Sequence, residues 1–579
     1  MRFSTDESRD EELAGATIAA AAAAGITVFD TAHAYGHGEA ELGHNERLLA
    51  RALRACEAEL VARIVTKGGM TRAGGGWVPD GRAKAIAADC EASLLALDGL
   101  PIDLYLLHAP DPRTPWRTSV RAVGRLVDQG LVARVGLSNV SRHRLDEALE
   151  LAPVTAVEVA LSAYDDRALR GGVLERCDEL GMAVIAHSPL GGPRRASGLA
   201  RREPWAEIGD AHGVAAAEVA LAWLLGLSPN VIAIPGARRP DTARGAARAA
   251  RLSLNNDDRA LLARAAGRPG RGRPARGCPA PGRPEPQRRP SPPDDGAEVV
   301  LVMGIPGAGK TRMAEDYVAR GYLRLNRDER GGGLRELAVA LDESLSAGAR
   351  RVVLDNTYLT RAARSYVAEA GARHEIPARC IWLSTPLGQA QVNLVERLVE
   401  RFGTLPAPEE LRRLARCEQG VLSPTSQMRS LRELEPPSEE EGFSLVEVVP
   451  FARDQPPEQA RRCVFVAAAV LRAAAWEPAV RGADPEAPHL VFDWIPDGAL
   501  ETLDASVARL AAAVSGPVQR ALCPHPGGPP RCWCRPPLPG LLIAFARVNA
   551  LEPSGSILIG TSPAHRTLAA TLGARFVAV

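Results

Sequence analysis

The sequence predicts a multidomain α/β protein, and three of its features support that prediction. The chain has 579 residues, too many for one hydrophobic core, so at ~100–200 residues per domain we expect three or four domains. Short β-branched segments alternate with alanine-rich segments along most of the chain, which is typical of parallel sheets with helices between the strands. Residues 267–296 are rich in Pro, Arg and Gly and almost free of apolar residues, which predicts a linker.

The overall composition excludes several classes of protein. Apolar residues make up 46% and charged residues 24% of the chain, and the net charge is +1, so nothing attracts the whole chain to nucleic acid or to anionic lipid. We find no basic and apolar leader and no stretch of about 18 uncharged apolar residues. We therefore expect a soluble, cytoplasmic protein without a membrane partner.

Lysine is rare in this chain. Of the 70 basic residues, only Lys67, Lys84 and Lys310 are lysine. Arginine evidently serves wherever charge alone is needed, but it cannot replace a compact ammonium with an adjustable pKa. The three lysines are therefore candidate functional residues.

Residues 1–266 are predicted to form a (β/α)8 barrel. Seven β-branched segments recur between helical ones, and their sequences are TVFD, RIVTK, IDLYLLH, RVGLSN, AVEVAL, AVIAHSP and VIAIPG. Repeated βα units of this kind close into an eight-stranded barrel. Because Met1 begins almost on the first strand, we expect residues 2–4 to be a stub of it.

Four polar residues follow the predicted strands of this barrel, at the end where barrels place their chemistry. Asp30, Lys67 and His108 close three strands, and Tyr35 lies in the loop after the first. A tyrosine can act as a general acid if its pKa of about 10 is lowered, as an adjacent ammonium held by a carboxylate would do. Each residue alone has a structural explanation, but the combination favours catalysis.

The blocks FDTAHAYGHGEAELGHNERLLARAL, TKGG, SLLALDGLPIDLYLLHAPDP, VGLSN, AHSPLGG and IPGARRP resemble successive blocks of the aldo/keto reductases, over residues 1–262. The resemblance implies an NADPH-dependent reductase of a small carbonyl substrate. It implies that Tyr35 is the proton donor, that Lys67 and Asp30 tune it, and that His108 aligns the substrate.

The same resemblance implies a set of residues that bind the cofactor. They are Ser138, Asn139, Glu158, His187, Ser188, Arg238 and Arg239. Ser138 and Asn139 would hold the nicotinamide carboxamide, and Arg238 or Arg239 would meet the adenosine 2′-phosphate. Paired arginines favour NADPH over NADH, because a doubly charged phosphate needs forked donors. The alternative is that these arginines form a solvated face.

Several cofactor-binding positions depart from the family pattern, among them Gly245 and Ala246, which stand where the family often has adenine-contacting Glu and Asn. Glu158 stands where the family usually has a glutamine, which replaces a neutral donor with an expected anion. His187 stands where an aromatic ring usually stacks on nicotinamide. These changes put cofactor affinity in question more than chemistry.

The segment GIPGAGKT at 304–311 follows an apolar strand and precedes a helix. Gly304, Gly307 and Gly309 would let backbone N–H groups cradle phosphates, Lys310 would reach the β and γ phosphates, and Thr311 would hold Mg²⁺. We therefore predict a P-loop NTPase α/β sandwich over 297–452 that binds ATP with Mg²⁺.

The NRD, DNT and QAQVNLVERL blocks that follow resemble the kinase domain of polynucleotide kinase/phosphatases, over about 298–451. The resemblance implies that Asp328 is the general base and that Arg397 neutralises charge on the transferred phosphate. A helix cap is the alternative for Asp328, and Asp355 could hold either the Mg²⁺ water or the substrate. We expect a DNA or RNA 5′-hydroxyl as acceptor, with a small alcohol as the alternative.

The segment CPHPGGPPRCWC places Cys523, His525, Cys532 and Cys534 as two closely spaced pairs. Three thiolates and an imidazole suit tetrahedral Zn²⁺. A structural zinc is expected because all four positions are filled, and unliganded residues are the alternative.

This loop and the later ILIGTSPAHRTLAATLGARFVAV are similar to the zinc-loop haloacid-dehalogenase (HAD) phosphatases that act on heptose bisphosphate. We therefore expect a small HAD-like α/β domain over 453–579. That superfamily needs an aspartate nucleophile and an acid two residues later, but Ala467 and Ala469 stand there. Alanine can neither attack phosphorus nor bind Mg²⁺. The prediction is an inactive phosphatase fold, kept for stability or for presenting substrate.

The sequence as a whole predicts a bifunctional enzyme, an NADPH-dependent carbonyl reductase fused to an ATP-dependent kinase. Two alternatives stay open. The barrel could sense NADP(H) and control the kinase without turnover, or the kinase could act on a small molecule.

Overall fold

The computed structural model describes residues 1–266, 296–453, 459–473, 476–495 and 500–579. The chain divides into two compact units, Met1–Pro284 and Glu285–Val579. The predicted linker, except for Gly296, lies outside the described residues.

The first unit is built on parallel strands followed by helices, as the α/β prediction requires. Its strands are β1 (Val28–Asp30), β2 (Arg63–Gly68), β3 (Met70–Ala73), β4 (Gly76–Pro79), β5 (Leu104–Leu107), β6 (Val135–Ser138), β7 (Val154–Ala160), β8 (Ala183–His187) and β9 (Val231–Ile234). Seven of them form one parallel sheet in the order β1-β2-β5-β6-β7-β8-β9, a nearly closed barrel. Strands β3 and β4 form an antiparallel hairpin.

The helices of this unit connect the strands and pack around the sheet. They are α1 (Arg2–Thr5), α2 (Glu11–Ala23), α3 (His44–Ala55), α4 (Ala83–Ala96), α5 (Trp116–Asp128), α6 (Arg142–Leu149), α7 (Arg167–Arg170), α8 (Val173–Leu180), α9 (Pro193–Gly198), α10 (Trp205–His212), α11 (Ala216–Leu225), α12 (Pro240–Ala249) and α13 (Asn256–Ala265). The inner face of the sheet is filled by a small apolar cluster, Val65, Leu104, Leu106, Ala156 and Ile185. A larger core lies between the sheet and the helices.

The predicted eighth strand is not present among the described residues of this unit, and the predicted strand stub at residues 2–4 is wrong. Arg2–Thr5 forms a helical turn, in which the Asp6 N–H donates to the Arg2 carbonyl at 3.2 Å. The Ser4 hydroxyl accepts from the Asn45 side chain at 2.9 Å, which ties this turn to α3. Its backbone donors are therefore satisfied locally rather than by a neighbouring strand.

The second unit contains two parallel sheets. Its strands are β10 (Glu298–Met303), β11 (Leu323–Leu325), β12 (Arg351–Asp355), β13 (Ala378–Ser384), β14 (Leu445–Pro450), β15 (Val464–Ala467), β16 (His489–Trp494), β17 (Val518–Cys523), β18 (Ile557–Gly560) and β19 (Arg575–Ala578). The sheet orders are β11-β12-β10-β13-β14 and β17-β16-β15-β18-β19. That the second sheet belongs to a HAD-like fold stays a prediction.

Helices cover both of these sheets. They are α14 (Lys310–Ala319), α15 (Arg327–Arg330), α16 (Leu334–Ser346), α17 (Arg361–Arg373), α18 (Leu387–Phe402), α19 (Pro408–Cys417), α20 (Pro424–Glu433), α21 (Glu477–Arg481), α22 (Leu500–Ala513), α23 (Gly540–Val548) and α24 (Pro563–Leu572).

Helix α18 joins the two halves of the second unit. Its buried Val395 and Leu398 belong to the same apolar core as Phe465 of β15 and Leu542 of α23. On the surface, Glu396 of α18 pairs with an arginine of α23 at 2.7 Å. Because this core spans the predicted domain boundary at 452, the division into 297–452 and 453–579 stays a prediction.

Within the described ranges, no single helix is both long and apolar enough to cross a membrane, and the pair Trp205–His212 and Ala216–Leu225, bent by 98°, meets that criterion only as a pair.

Candidate functional site

The four residues predicted to be catalytic in the barrel come together at one end of its sheet. Asp30 ends β1, Lys67 lies next to the end of β2, and His108 directly follows β5. The Lys67 ammonium is hydrogen-bonded to the Asp30 carboxylate and donates to the Thr31 carbonyl at 3.0 Å. It lies 5.5 Å from the centre of the Tyr35 ring, which is in edge contact with the His108 ring at 5.6 Å. The strand ends therefore place an ammonium, a phenol and an imidazole side by side.

The charge state of this group is set by burial and by the carboxyl groups of Asp30 and Glu158. Lys67 is fully buried. Burial disfavours its charge, but Asp30 and Glu158 more than offset this and hold the pKa of Lys67 above its usual range. Burial also raises the pKa of Tyr35 above its ordinary value, and the opposing effect of Lys67 is smaller. The expectation of a net lowered tyrosine pKa is therefore wrong, and the phenol of the resting site is protonated.

Glu158 and His108 are both neutral at pH 7, because both are buried. Glu158 lies on β7 with its Oε2 atom 3.2 Å from the Lys67 ammonium. Burial, helped by the charge of Asp30, raises the pKa of Glu158 to about 8. The expected anion is thus mostly a neutral carboxylic acid. Burial and Lys67 lower the pKa of His108 to about 3, and its buried Nδ1 has no hydrogen-bond partner among the described residues.

The residues predicted to hold nicotinamide form a linked polar set beside the tetrad. The Asn139 amide donates to the Ser138 hydroxyl at 3.0 Å and to the His108 carbonyl at 3.1 Å. Its oxygen lies 3.1 Å from Nε2 of His187, whose Nδ1 lies 3.3 Å from the Ser188 hydroxyl. The ends of β6 and β8 thus bring together four of the residues predicted to bind the cofactor.

The P-loop of the second unit has the backbone that phosphate binding requires. Gly304, Gly307 and Gly309 have φ angles of 155°, 87° and 97°, in the region that favours glycine. A Cβ atom at Gly307 would lie 2.3 Å from the Ala390 carbonyl oxygen, so a larger residue cannot fit there. Helix α14 begins at Lys310, directly after this loop.

Lys310 is held inside the P-loop, and no carboxylate of the described residues is in contact with its ammonium. Its ammonium donates to the Gly304 and Ile305 carbonyls, both at 3.0 Å. Burial lowers the pKa of Lys310 to about 8, although Asp355 opposes the shift. Arg397 and Asp328 also act on this ammonium, so the structure brings both predicted kinase residues near the loop. An ammonium in this state gains from an added anion.

The carboxylates of Asp355 and Asp328 differ in burial and in their hydrogen-bond partners. Arg324 holds both oxygens of the buried Asp355 carboxylate, at 2.9 and 2.8 Å. Asp328 is exposed near the start of α15, and the side chain that caps this helix is that of Asn326, which accepts from the Asp328 N–H at 2.6 Å. The capping alternative for Asp328 is therefore wrong. Thr311 is exposed in the first turn of α14.

Three side chains that we did not predict support the P-loop. Asn393 of α18 donates to the Gly307 carbonyl at 2.8 Å, Thr385 to the Ala308 carbonyl at 3.0 Å, and Gln427 of α20 to the Pro306 carbonyl at 3.0 Å. The motif contains no sign of these partners, which lie about 80 to 120 residues away along the chain. They fix the carbonyls so that the loop N–H groups can turn towards a ligand.

The four predicted zinc ligands converge. The donor atoms of Cys523, His525, Cys532 and Cys534 all lie within 4.8 Å of one another. The Cys523 and Cys532 sulfurs are 3.7 Å apart, and the His525 Nδ1 atom lies 3.4 Å from the first of them and 3.1 Å from the Cys534 sulfur. Tetrahedral bonds to zinc would separate two sulfurs by about 3.8 Å. The donor set thus fits a zinc ion in both chemistry and spacing.

The predicted phosphatase pocket has no carboxylate in the two expected places. Ala467 ends β15 and is fully buried. The Ala469 N–H donates to the Asp493 carboxylate of β16 at 3.1 Å, so this aspartate braces the loop after β15.

Comparison with known proteins gives the following matches. The aldo/keto reductase family profile matches residues 1–266, and a profile described as an AAA domain matches residues 299–415. Probable aldo-keto reductase 1 of Glycine max is 31% identical over 242 residues, which are 37% of this chain and 67% of that protein. An uncharacterized oxidoreductase of Schizosaccharomyces pombe is 30% identical over 257 residues, 44% of this chain and 78% of that protein.

The chain belongs to the aldo/keto reductase family. Its second unit contains a P-loop domain of the AAA type. Among solved structures, an aldo/keto reductase from Klebsiella pneumoniae in complex with NADP and acetate is 25% identical, with a TM-score of 0.39 over 45% of this chain and 88% of that chain.

The arginines predicted to bind a 2′-phosphate lie where the reductase barrel reaches α12. Arg239 directly precedes this helix, and both guanidinium groups are exposed. Arg238 lies 3.4 Å from the Asp6 carboxylate. A phosphate at this place would have to compete with that carboxylate.

We did not predict one wall of the reductase site from the sequence. The β3–β4 hairpin places Trp77 in ring contact with Tyr35 at 5.9 Å and with His108 at 6.2 Å. Arg72 stacks on the same indole, 4.1 Å from the ring centre. The glycine run AGGG between Arg72 and Trp77 is a turn signal that could have predicted this hairpin. Trp77 is 41% exposed and forms an apolar surface beside the phenol.

The buried Glu158 predicts a pH dependence of barrel stability. Its folded pKa is about 8, above an ordinary value of 4.5, so the fold keeps a proton that the unfolded chain releases. The stability that it contributes is present below pH 4.5 and is lost as pH rises through about 8. We expect hydrogen-exchange protection of β1 and β2, corrected for intrinsic rates, to fall by up to about tenfold per pH unit between pH 6 and 8.

Glu158→Gln should remove most of this fall, and the exposed control Glu207→Gln should keep it. Exchange mass spectrometry of the three full-length proteins measures the effect. An equal pH dependence in wild type and Glu158→Gln would contradict the assignment.

Proposed function

We propose that the barrel reduces a small carbonyl compound with NADPH, and that the P-loop domain transfers phosphate from ATP to a polynucleotide 5′-hydroxyl. The reductase proposal depends on one observation, the buried contact of Lys67 with Asp30 beside Tyr35. The kinase proposal depends on another, the Lys310 ammonium inside a glycine loop, whose pKa is lowered by burial.

In the reductase reaction NADPH supplies the hydride when bound. Tyr35 is protonated in the resting site and donates its proton to the carbonyl oxygen as negative charge develops there. The phenolate so formed is stabilised by Lys67, whose charge Asp30 holds in place. His108 is neutral, and its unpaired Nδ1 atom can hydrogen-bond the substrate oxygen. Trp77 bounds the site with an apolar surface, which favours a substrate with an apolar part next to the carbonyl.

Ser138 and Asn139 would hold the carboxamide of the cofactor, together with His187 and Ser188. Glu158 is mostly protonated, so it offers a neutral donor in place of the family's glutamine. The pair Arg238 and Arg239 supports NADPH over NADH, because two exposed guanidinium groups at one helix start can share a phosphate.

In the kinase reaction ATP supplies the phosphoryl group when bound with Mg²⁺. The amides of the loop 304–309 would hold its phosphates, and the Thr311 hydroxyl would hold Mg²⁺. Lys310 and Arg397 counter the charge of the transferred group, and Asp328 takes the proton of the attacking hydroxyl. Exposure of Asp328 leaves its carboxylate accessible to an acceptor.

For the third part of the chain, we propose a structural zinc and an inactive phosphatase fold. Cys523, His525, Cys532 and Cys534 would fill a tetrahedral shell. Ala467 cannot serve as a nucleophile. The zinc would order a loop that is rich in proline and glycine.

The reductase proposal predicts a large effect of Tyr35→Phe, because this change removes the proton donor. We expect kcat/KM for aromatic and aliphatic aldehydes to fall by about 10²–10⁴-fold, measured as NADPH oxidation by the full-length protein. Tyr164→Phe is the matched control, since its hydroxyl bonds only a backbone carbonyl of the same unit. Equal rates for wild type and Tyr35→Phe would reject the reductase, and tight NADPH binding without turnover would favour the sensor.

The kinase proposal predicts that Lys310→Ala abolishes γ-phosphate transfer to a 5′-hydroxyl oligonucleotide and that Asp328→Asn lowers kcat by about 10²–10⁴-fold. Lys84→Ala, which removes an exposed lysine of the other unit, should leave the rate unchanged. Radiolabelled transfer from ATP measures both effects. Transfer to small alcohols but not to oligonucleotides would instead show a small-molecule kinase.

The zinc proposal predicts about one zinc per chain by elemental analysis after gel filtration. Cys532→Ser should lose most of this zinc and lower the melting temperature of the second unit. The control is Cys417→Ser, which changes an exposed free cysteine. A zinc-free wild-type protein would refute the ligand assignment.

A further inference from the structure

A cleft of about 510 Å³ in the second unit is surrounded by arginines. It lies between α19, the start of α20 and the zinc loop, the segment from Cys523 to Cys534. Its polar lining consists of Arg412, Arg416, Arg531, Ser423, Thr425 and Ser426. A volume of this size holds a ligand about as large as a nucleotide.

The three guanidinium groups of this cleft are unpaired within the residues that the structure describes. Across the described part of the chain, Arg412, Arg416 and Arg531 make no hydrogen bond and no ion pair, and no acidic residue lines the cleft. Other arginines of this unit are paired. Arg401 forms an ion pair with a glutamate, and the Arg364 guanidinium forms a bidentate ion pair with another glutamate. Three like charges around one cavity repel one another, so the cleft gains from an anion with several oxygens.

The hydroxyl groups of the cleft are suited to the same ligand. Ser423 lies 2.9 Å from the Thr425 hydroxyl and 3.0 Å from the Ser426 hydroxyl. These three groups form a cluster of donors on the wall formed by α20. Guanidinium and hydroxyl donors together are the usual partners of phosphate oxygens in nucleic-acid complexes.

The cleft is next to the proposed kinase site. Helix α20, which forms one wall, also carries Gln427, whose amide donates to Pro306 of the P-loop at 3.0 Å. The loop before α20 contains Gly420, where an added Cβ atom would lie 3.5 Å from Arg397. The segment that forms one wall of the cleft therefore also contacts the P-loop and Arg397.

The zinc loop supplies the third arginine from the C-terminal part of the chain. Arg531 directly precedes Cys532, one of the four clustered donors. The next residue, Trp533, donates its indole N–H to the Leu422 carbonyl at 3.0 Å. This bond holds the zinc loop against the segment between α19 and α20. The position of Arg531 is therefore set by its two neighbours, Cys532 in the donor cluster and Trp533 on the Leu422 carbonyl.

We propose that this cleft binds the phosphodiester backbone of the polynucleotide whose 5′-hydroxyl the P-loop domain phosphorylates, and that the zinc loop serves as part of the acceptor site. The inference rests on the proposed kinase function and names how its acceptor is held. None of the described residues that line the cleft is aromatic, so bases do not stack on it and binding is independent of base sequence.

Salt dependence and substitution test this proposal in the full-length protein. The probe is a 5′-hydroxyl single-stranded DNA with a fluorophore at its 3′ end, and anisotropy gives its Kd over a series of salt concentrations. Each phosphate contact contributes about −0.7 to the slope of log K against log salt for a single strand. We expect Arg531→Gln to raise Kd by about three- to tenfold and to reduce the slope by about 0.7.

A second variant and a matched control accompany this test. Because Arg531 neighbours a proposed zinc ligand, Arg416→Gln on α19 repeats the test away from the zinc loop, and zinc content checks each preparation. The control is Arg575→Gln, which removes an exposed arginine without a side-chain partner on β19, at the sheet edge opposite β17. It should change neither Kd nor slope.

In the transfer assay both cleft variants should raise KM for the oligonucleotide and leave kcat nearly unchanged. Unchanged Kd, slope and KM in both would overturn the cleft assignment even if wild-type transfer occurs. Glycerol 3-phosphate serves as a small phosphate ligand for comparison. If the variants no longer bind glycerol 3-phosphate but bind DNA as wild type does, the polynucleotide assignment is overturned. If wild type binds DNA with the arginine-dependent slope but transfers no phosphate, the cleft stands and the kinase proposal fails.

Discussion

A buried ammonium must be compensated, and each unit of this protein is arranged around one. Lys67 contacts the Asp30 carboxylate and lies 3.2 Å from the Glu158 carboxyl group, and these two groups hold the pKa of its ammonium above the usual range. Among the described residues, Lys310 is hydrogen-bonded to two backbone carbonyls, and its pKa falls to about 8. The first lysine therefore keeps its charge next to the Tyr35 phenol, whereas the ammonium of the second is favoured by an added anion. One residue type has two different pKa values because its surroundings differ.

Helix α18 has a comparable role for the second unit, because it links phosphate binding to the C-terminal core. One side of it packs through Val395 and Leu398 against the second sheet. Another side carries Asn393, which holds the Gly307 carbonyl, and Arg397, which acts on Lys310. Loss of the C-terminal core would therefore displace both Arg397 and the Asn393 side chain that holds the P-loop. The two halves of this unit are coupled by geometry, whatever activity the second half has.

The sequence predicted those parts of the two sites that are local. Asp30, Lys67 and His108 could be found because parallel strands end at one edge, and 304–311 because a short motif encodes its own backbone shape. Partners far apart along the chain could not, such as Arg324 for Asp355, Gln427 for Pro306 or Trp533 for Leu422. The net charge state of Tyr35 was missed for a related reason, since burial is a property of the packed fold. The helical turn at Arg2–Thr5 was missed because its stabilising bond to Asn45 is also distant.

The alanines in the C-terminal sheet make physical sense if this part of the chain no longer performs chemistry. A fully buried aspartate at Ala467, close to Asp493, would place like charges together unless a cation lay between them. With alanine there, Asp493 instead accepts a backbone N–H after β15 and lies 3.9 Å from His565. This part contributes its core around α18 and the hydrogen bond from the Trp533 indole to the Leu422 carbonyl. Both contacts lie next to elements that hold the P-loop, because α18 carries Asn393 and α20 carries Gln427.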